Sequence, residues 1–150
     1  MNILALDCAT KTGWALQTDH LESGVQTFDL RRGESRGMRF LRFRAWLKGM
    51  IEQHRPDVLV FEQAHHRGGA ATEVGVGLAT RVMEIACEYE IEYQTVHTGT
   101  LKKYATGKGN ASKDEMLKRA RERWPEQHVE DDNQADALWI LDWAKQELGV

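Results

Sequence analysis

Two carboxylates in this chain stand where a carboxylate is costly. Asp7 ends the apolar run Ile3-Leu4-Ala5-Leu6, and Glu62 ends Val58-Leu59-Val60-Phe61. A charge near a core costs several kcal/mol unless it is paired or bound to a metal. A third acidic element, Asp131-Asp132-Asn133-Gln134-Ala135-Asp136, opens the last helical pattern. Residues three or four apart share a helix face, so Asp136 neighbours both Asp132 and Asn133. If the two strand ends lie side by side, their carboxylates repel each other, and a divalent cation removes that repulsion. Mg²⁺ takes oxygen ligands and keeps several waters for substrate phosphates. Two such ions about 3.5–4 Å apart suit in-line attack of water on a phosphodiester. Each acid also has a bland use: Asp7 could bond the Thr10–Thr12 turn, Glu62 could pair with Arg67, and Asp131 and Asp132 could be N-caps. Taken jointly, they point to a metal site.

The elements that must position these residues follow from periodicity. Residues 3–8 read as a strand, the Thr10-Lys11-Thr12-Gly13 turn follows, and Trp14-Ala15-Leu16 resumes extended character as a hairpin. A third strand is expected over residues 24–30. Between residues 34 and 54, Phe40, Phe43, Leu47, Met50 and Ile51 recur at helical spacing, and Pro56 then punctuates. Residues 57–62 form a continuous apolar run, the pattern of a strand covered on both faces. Val74, Leu78, Val82, Ile85 and Tyr89 mark a second helix, and residues 91–96 the next strand. A short helix is expected over residues 100–104. Ser112 and Glu115 make a capping box for another helix ending near Trp124-Pro125, and Asp131 or Asp132 caps the last, which turns Ala135, Leu138 and Trp139 to the core. The order βββαβαβααα is an α/β arrangement: a mixed five-stranded sheet with helices around it. In the second helix, Gly75-Val76-Gly77 suggests close packing of another backbone, at a dimer seam or within the monomer.

A chain of 150 residues, 41% hydrophobic and 29% charged, suits one globular domain over residues 1–150. No apolar run reaches the roughly 18 residues of a spanning helix, and Asp7 comes too early for a secretory signal, so no membrane partner and a cytoplasmic location are expected. Cys8 and Cys87 lie in apolar contexts without metal spacing and read as inert packing thiols. The net charge of −3 hides segregation: residues 31–48 hold seven basic residues against Glu34, and residues 102–123 hold eight against Asp114, Glu115 and Glu122. Such patches are either solvated helix faces or a phosphate-binding surface.

Four segments, LALDCATKTGWAL, VFEQ, LKKYATGKGNASK and DDNQADALWI, resemble in order and spacing the Holliday-junction resolvases of the RuvC type. The resemblance implies a ribonuclease-H-like fold and a homodimer that nicks opposed strands of four-way DNA junctions, using Mg²⁺, with Mn²⁺ able to substitute and two ions per site. It implies Asp7, Glu62 and Asp136 as metal ligands, and Lys102 and Lys113 as basic groups beside the scissile phosphate. The family often carries Asp or His three residues before the last Asp, where this chain has Asn133. Asp132 is the expected substitute, with Asn133 as the alternative. His65 falls where the family stacks an aromatic on a base, although two adjacent histidines beside glycines also suit an ordinary loop. His65, Arg67, Lys103, Lys108, Arg39 and Arg42 are the expected DNA contacts.

Other chemistries share parts of this pattern. The carboxylates alone do not separate a junction nuclease from one acting on RNA–DNA hybrids or forks. The turn between Asp7 and Gly13 also occurs as a phosphate loop in two-domain ATP-binding folds, for which this chain is short. Asn133 leaves room for a dimer that binds junctions without cutting them.

Overall fold

Alternation along the two central strands decides which side of the sheet receives the acids. The computed structural model describes residues 1–64 and 68–150. Its strands are β1 (Ile3–Asp7), β2 (Lys11–Gln17), β3 (Leu21–Thr27), β4 (Val58–Glu62) and β5 (Glu92–Val96), in sheet order β3-β2-β1-β4-β5. β1, β2 and β3 pair antiparallel, whereas β4 pairs parallel with both β1 and β5. The helices are α1 (Gly37–His54), α2 (Ala70–Glu88), α3 (Thr98–Thr106), α4 (Lys113–Arg123) and α5 (Asp132–Leu148), with a 3₁₀ turn at Pro125–Gln127. No helix among the described residues is long and apolar enough to cross a membrane.

Successive side chains of a strand point to opposite faces. Leu4, Leu6, Leu59 and Phe61 pack with Phe43, Leu47 and Ile51 of α1 and Leu78, Val82 and Ile85 of α2. Ile3, Ala5, Val58 and Val60 pack on the other face, with Leu101 of α3, Met116 and Ala120 of α4 and the apolar side of α5. α5 is covered by the sheet and also by α4, where the Trp139 indole N–H donates to the Met116 carbonyl at 3.2 Å. This double cover explains why α5 buries Ala135, Ala137, Leu138, Trp139, Ile140 and Leu141 around most of its circumference.

The expected order of elements is the observed one, with local differences. β3 begins three residues earlier than expected because the tight turn at Thr18 sets Gln17 opposite Leu21. Phe28 then leaves the strand to pack edge-on against Phe43 and Trp46. α1 starts at Gly37, because Glu34 is used outside it, accepting from the Arg31 backbone N–H at 2.5 Å. Phe40 and Met50 are only partly buried. Gly77 packs within the monomer: a Cβ there would lie 2.3 Å from the Phe40 ring, so the close approach is by a side chain of α1. Cys8 is partly buried, but Cys87 is exposed and does not pack as expected, since it falls outside the α2 stripe of Leu78, Val82 and Ile85.

Candidate metal centre

The parity that buries Ile3, Ala5, Val58 and Val60 toward α5 carries Asp7 and Glu62 to the same face. Because β1 and β4 run parallel with Leu6 opposite Phe61, the two acids emerge together at one end of the sheet. Asp136, one turn into α5, meets them there. One carboxylate oxygen from each of Asp7, Glu62 and Asp136 lies within 4.8 Å of the others.

The start of α5 is tied down by contacts far apart in sequence. Asp131 is its N-cap, accepting from the Gln134 backbone N–H at 2.9 Å, and its other oxygen lies 3.2 Å from the Lys11 ammonium. The buried Gln134 side chain accepts from the Glu130 N–H at 2.7 Å and donates to the Ser23 hydroxyl at 2.9 Å, joining α5 to β3. Gly13 lets β2 approach the first turn of α5 directly: a Cβ there would sit 1.9 Å from the Asn133 carbonyl oxygen. Any larger residue must push α5 away, and Asp136 with it.

The electrostatics fit a cation. Burial, and then the charges of Asp136, Glu62, Asp132 and Asp131, hold the Asp7 carboxyl well above the usual carboxylate range. Burial, with Glu62 and Asp132, pushes Asp136 up to about 8, against the opposing pull of Lys102 and Lys113. Three partly buried carboxylates so close together form a donor set that a divalent ion would satisfy. Burial and the Asp7 and Glu62 charges also raise the Cys8 thiol, which keeps it neutral as expected of an inert thiol.

The cluster floors a cleft of about 520 Å³, which Lys102 and Lys113 also line. Asp132 and Asn133 line it as well, although Asp132 stands outside the close group of three and lies 3.9 Å from the Lys113 ammonium. Lys103 and Lys108 are exposed on α3 and the loop after it, outside the cleft lining. Arg39 and Arg42 do not reach the cleft. Arg39 donates to the Phe28 carbonyl at 3.0 Å, and Arg42 grips Glu34 with both terminal nitrogens. His65 and Arg67, and with them the alternative Glu62–Arg67 pair, lie outside the described residues. Sequence reasoning missed Thr98, whose hydroxyl donates to Glu62 and which lines the cleft. It also missed the Gly13 contact: β2 begins at Lys11, so Gly13 lies inside the strand and not in the expected Thr10–Gly13 turn.

No protein-family model matches the chain. Over 125 residues it is 26% identical to the crossover junction endodeoxyribonuclease RuvC of Rickettsia conorii, covering 78% of each chain. It superposes on the Thermus thermophilus RuvC structure with a TM-score of 0.73 at 20% identity, covering 99% of this chain and 97% of that one. The T. thermophilus RuvC in complex with Holliday junction substrate gives a TM-score of 0.74 at 17% identity, covering 98% and 96%. These structures share the five-stranded ribonuclease-H-like fold. In sequence and in fold the chain is thus similar to the RuvC-type Holliday-junction resolvases.

Proposed function

We propose that this chain is a structure-selective endodeoxyribonuclease that hydrolyses phosphodiesters in four-way and related branched DNA. The observation that carries this reading is the group of Asp7, Glu62 and Asp136, within 4.8 Å of one another in a cleft rimmed by Lys102 and Lys113. Asp7, Glu62 and Asp136 would hold Mg²⁺, with Mn²⁺ as a substitute and room in the ligand set for two ions. Asp132, or else the Asn133 carbonyl oxygen, would complete the set from the same turn of α5. A bound divalent ion supplies an activated water and neutralises charge developing on the phosphate.

The chain's own residues do the rest. The three carboxylates create the negative potential that concentrates the cation. Lys102 and Lys113 offset the repulsion between that cluster and an approaching phosphate, and stabilise charge as it develops. Lys103 and Lys108, both exposed, would grip the backbone of an arm through phosphates, which positions DNA without reading its sequence. His65 and Arg67 would also contact the DNA. Acting as a homodimer in the cytoplasm, two such sites would nick opposed strands, each leaving a 5′-phosphate and a 3′-hydroxyl. The RuvC relatives support this reading, one of them being a structure with Holliday junction substrate.

Substrate choice is tested by offering a synthetic four-way junction, a replication fork and an RNA–DNA hybrid in Mg²⁺. The expected result is paired nicks in the junction at a rate above the other two. Preferred cleavage of the hybrid or the fork would move the chain to another ribonuclease-H-like activity. Junction binding without cleavage in saturating Mg²⁺ and Mn²⁺ would make it a binding protein.

A further inference from the structure

We infer that Thr98 is a positioning residue for the metal site, its hydroxyl on the first turn of α3 setting the orientation in which Glu62 holds the cation. This rests on the metal-site reading above. Of the three close carboxylates, two are short aspartates, and Glu62 alone has an extra rotatable bond between backbone and ligand atoms. It therefore has the most freedom to lose when a cation is held, and gains most from being oriented beforehand. The fold delivers the orienting group. Val96 at the end of β5 stands opposite Glu62 at the end of β4, and the Gln63 N–H donates to the Val96 carbonyl at 2.9 Å. Two residues on, α3 begins, and the Thr98 hydroxyl donates to Glu62 Oε1.

The start of α3 sets this hydroxyl apart from an ordinary cap. His97 occupies the N-cap position without a side-chain capping bond, and Thr98 follows it inside the helix. Lys102 stands four residues later, on the same helix face, and both residues line the cleft. One face of α3 thus presents to the cleft a hydroxyl that bonds one ligand, Glu62, and an ammonium beside it. A group that orients a metal ligand acts on affinity even though it never touches the ion.

The test is a titration of the full chain with Mg²⁺ alone, followed by calorimetry, for wild type, Thr98→Val, Thr98→Ser and Glu62→Gln, with thermal midpoints measured in EDTA. Valine keeps the shape and removes the hydroxyl. Thr98→Val is expected to weaken Mg²⁺ binding about 10- to 100-fold, the usual effect of losing an outer-shell partner. Its midpoint in EDTA should stay near that of wild type, and Thr98→Ser should keep wild-type affinity. If the valine variant does not fold, Thr98→Ala carries the same comparison. Wild-type affinity in Thr98→Val, or equal loss in Thr98→Ser, overturns the role of Thr98 while Glu62→Gln still reports on the metal site. A wild-type chain that takes up no Mg²⁺ overturns the metal reading and this inference with it.

Discussion

In α1, Arg42 grips Glu34, Arg39 holds the Phe28 carbonyl, and Arg44 and Lys48 reach Glu84 and Glu88 on α2 at 2.5 to 3.1 Å. On the opposite face of the sheet, Lys102 and Lys113 line the acid-floored cleft, and Lys103 and Lys108 are exposed on α3 and the loop after it. Even there the charge is divided. Arg121 donates to the Val129 and Glu130 carbonyls and Arg123 pairs with Asp142 at 3.1 Å, so these arginines brace α4 against the segment leading into α5 and α5 itself. Two stretches of nearly equal basic content thus have different uses, one tying helices together and the other facing a carboxylate cluster. A count of charges along a chain does not separate them. What separates them is which acids the fold brings opposite, and Glu84 and Glu88 come from a helix about 40 residues downstream of Arg44.

The contrast is broken most forcefully by exchanging one side chain on each face. Asp136→Asn should remove junction cleavage by more than the ~100-fold typical of losing an outer-shell partner, with the fold intact by circular dichroism. Arg42→Ala should lower the thermal midpoint slightly and leave the cleavage rate at saturating DNA near wild type. The reverse pattern would place the chemistry on the wrong face.

Gly13→Ala sharpens the comparison by disturbing only the contact that seats α5. The added methyl has nowhere to go against the Asn133 carbonyl, and overpacking of this kind costs about 1–3 kcal/mol. Denaturant melts should show that loss, together with weakened Mg²⁺ binding because Asp136 moves with the helix. A stability loss without any change in metal binding would mean that β2 does not position the site.

A smaller effect follows from proton linkage. The Asp136 carboxyl is raised from an ordinary 3.8 to about 8, and Asp7 is raised in the same direction. A raised carboxyl favours the folded state fully below its ordinary value, and that contribution is lost as pH climbs through the raised one. The metal-free protein should therefore lose stability between about pH 4 and pH 8, while Mg²⁺ should stabilise it more at pH 8 than at pH 5. Asp136→Asn should flatten the pH profile, and an unchanged slope in that variant would remove Asp136 from the coupled cluster.

The smallest effect concerns the grip on DNA. Lys108→Ala should reduce the slope of log affinity against log salt by about one, as expected for one phosphate contact. Arg44→Ala, on the structural face, should leave the slope unchanged. Equal effects of the two variants would mean that DNA also runs over α1.

Much of the site was legible in the sequence, for identifiable reasons. An acid at the end of an apolar strand is visible in one dimension, and so is the i, i+4 relation of Asp132 and Asp136. The placement of Asp7 and Glu62 on a common face follows from the period of two along β1 and β4. The contacts that seat these residues were not legible, because each joins distant segments: Thr98 to Glu62, Lys11 to Asp131, Gly13 to the Asn133 carbonyl. The contacts of Arg39 and Arg42 were hidden for the same reason, since their partners sit on the segment before α1 and not on the helix itself. β3 shifted by three residues because the turn after β2, and not the apolar pattern, sets an edge strand's register.

The most direct measurement is Mg²⁺-dependent cleavage of a synthetic four-way junction by wild type and Asp7→Asn, with junction binding followed in parallel. Wild type should nick opposed strands only when the metal is present, and Asp7→Asn should bind the junction as tightly and leave it uncut. Cleavage retained by Asp7→Asn in Mg²⁺ would contradict the carboxylate cluster as the centre of the chemistry.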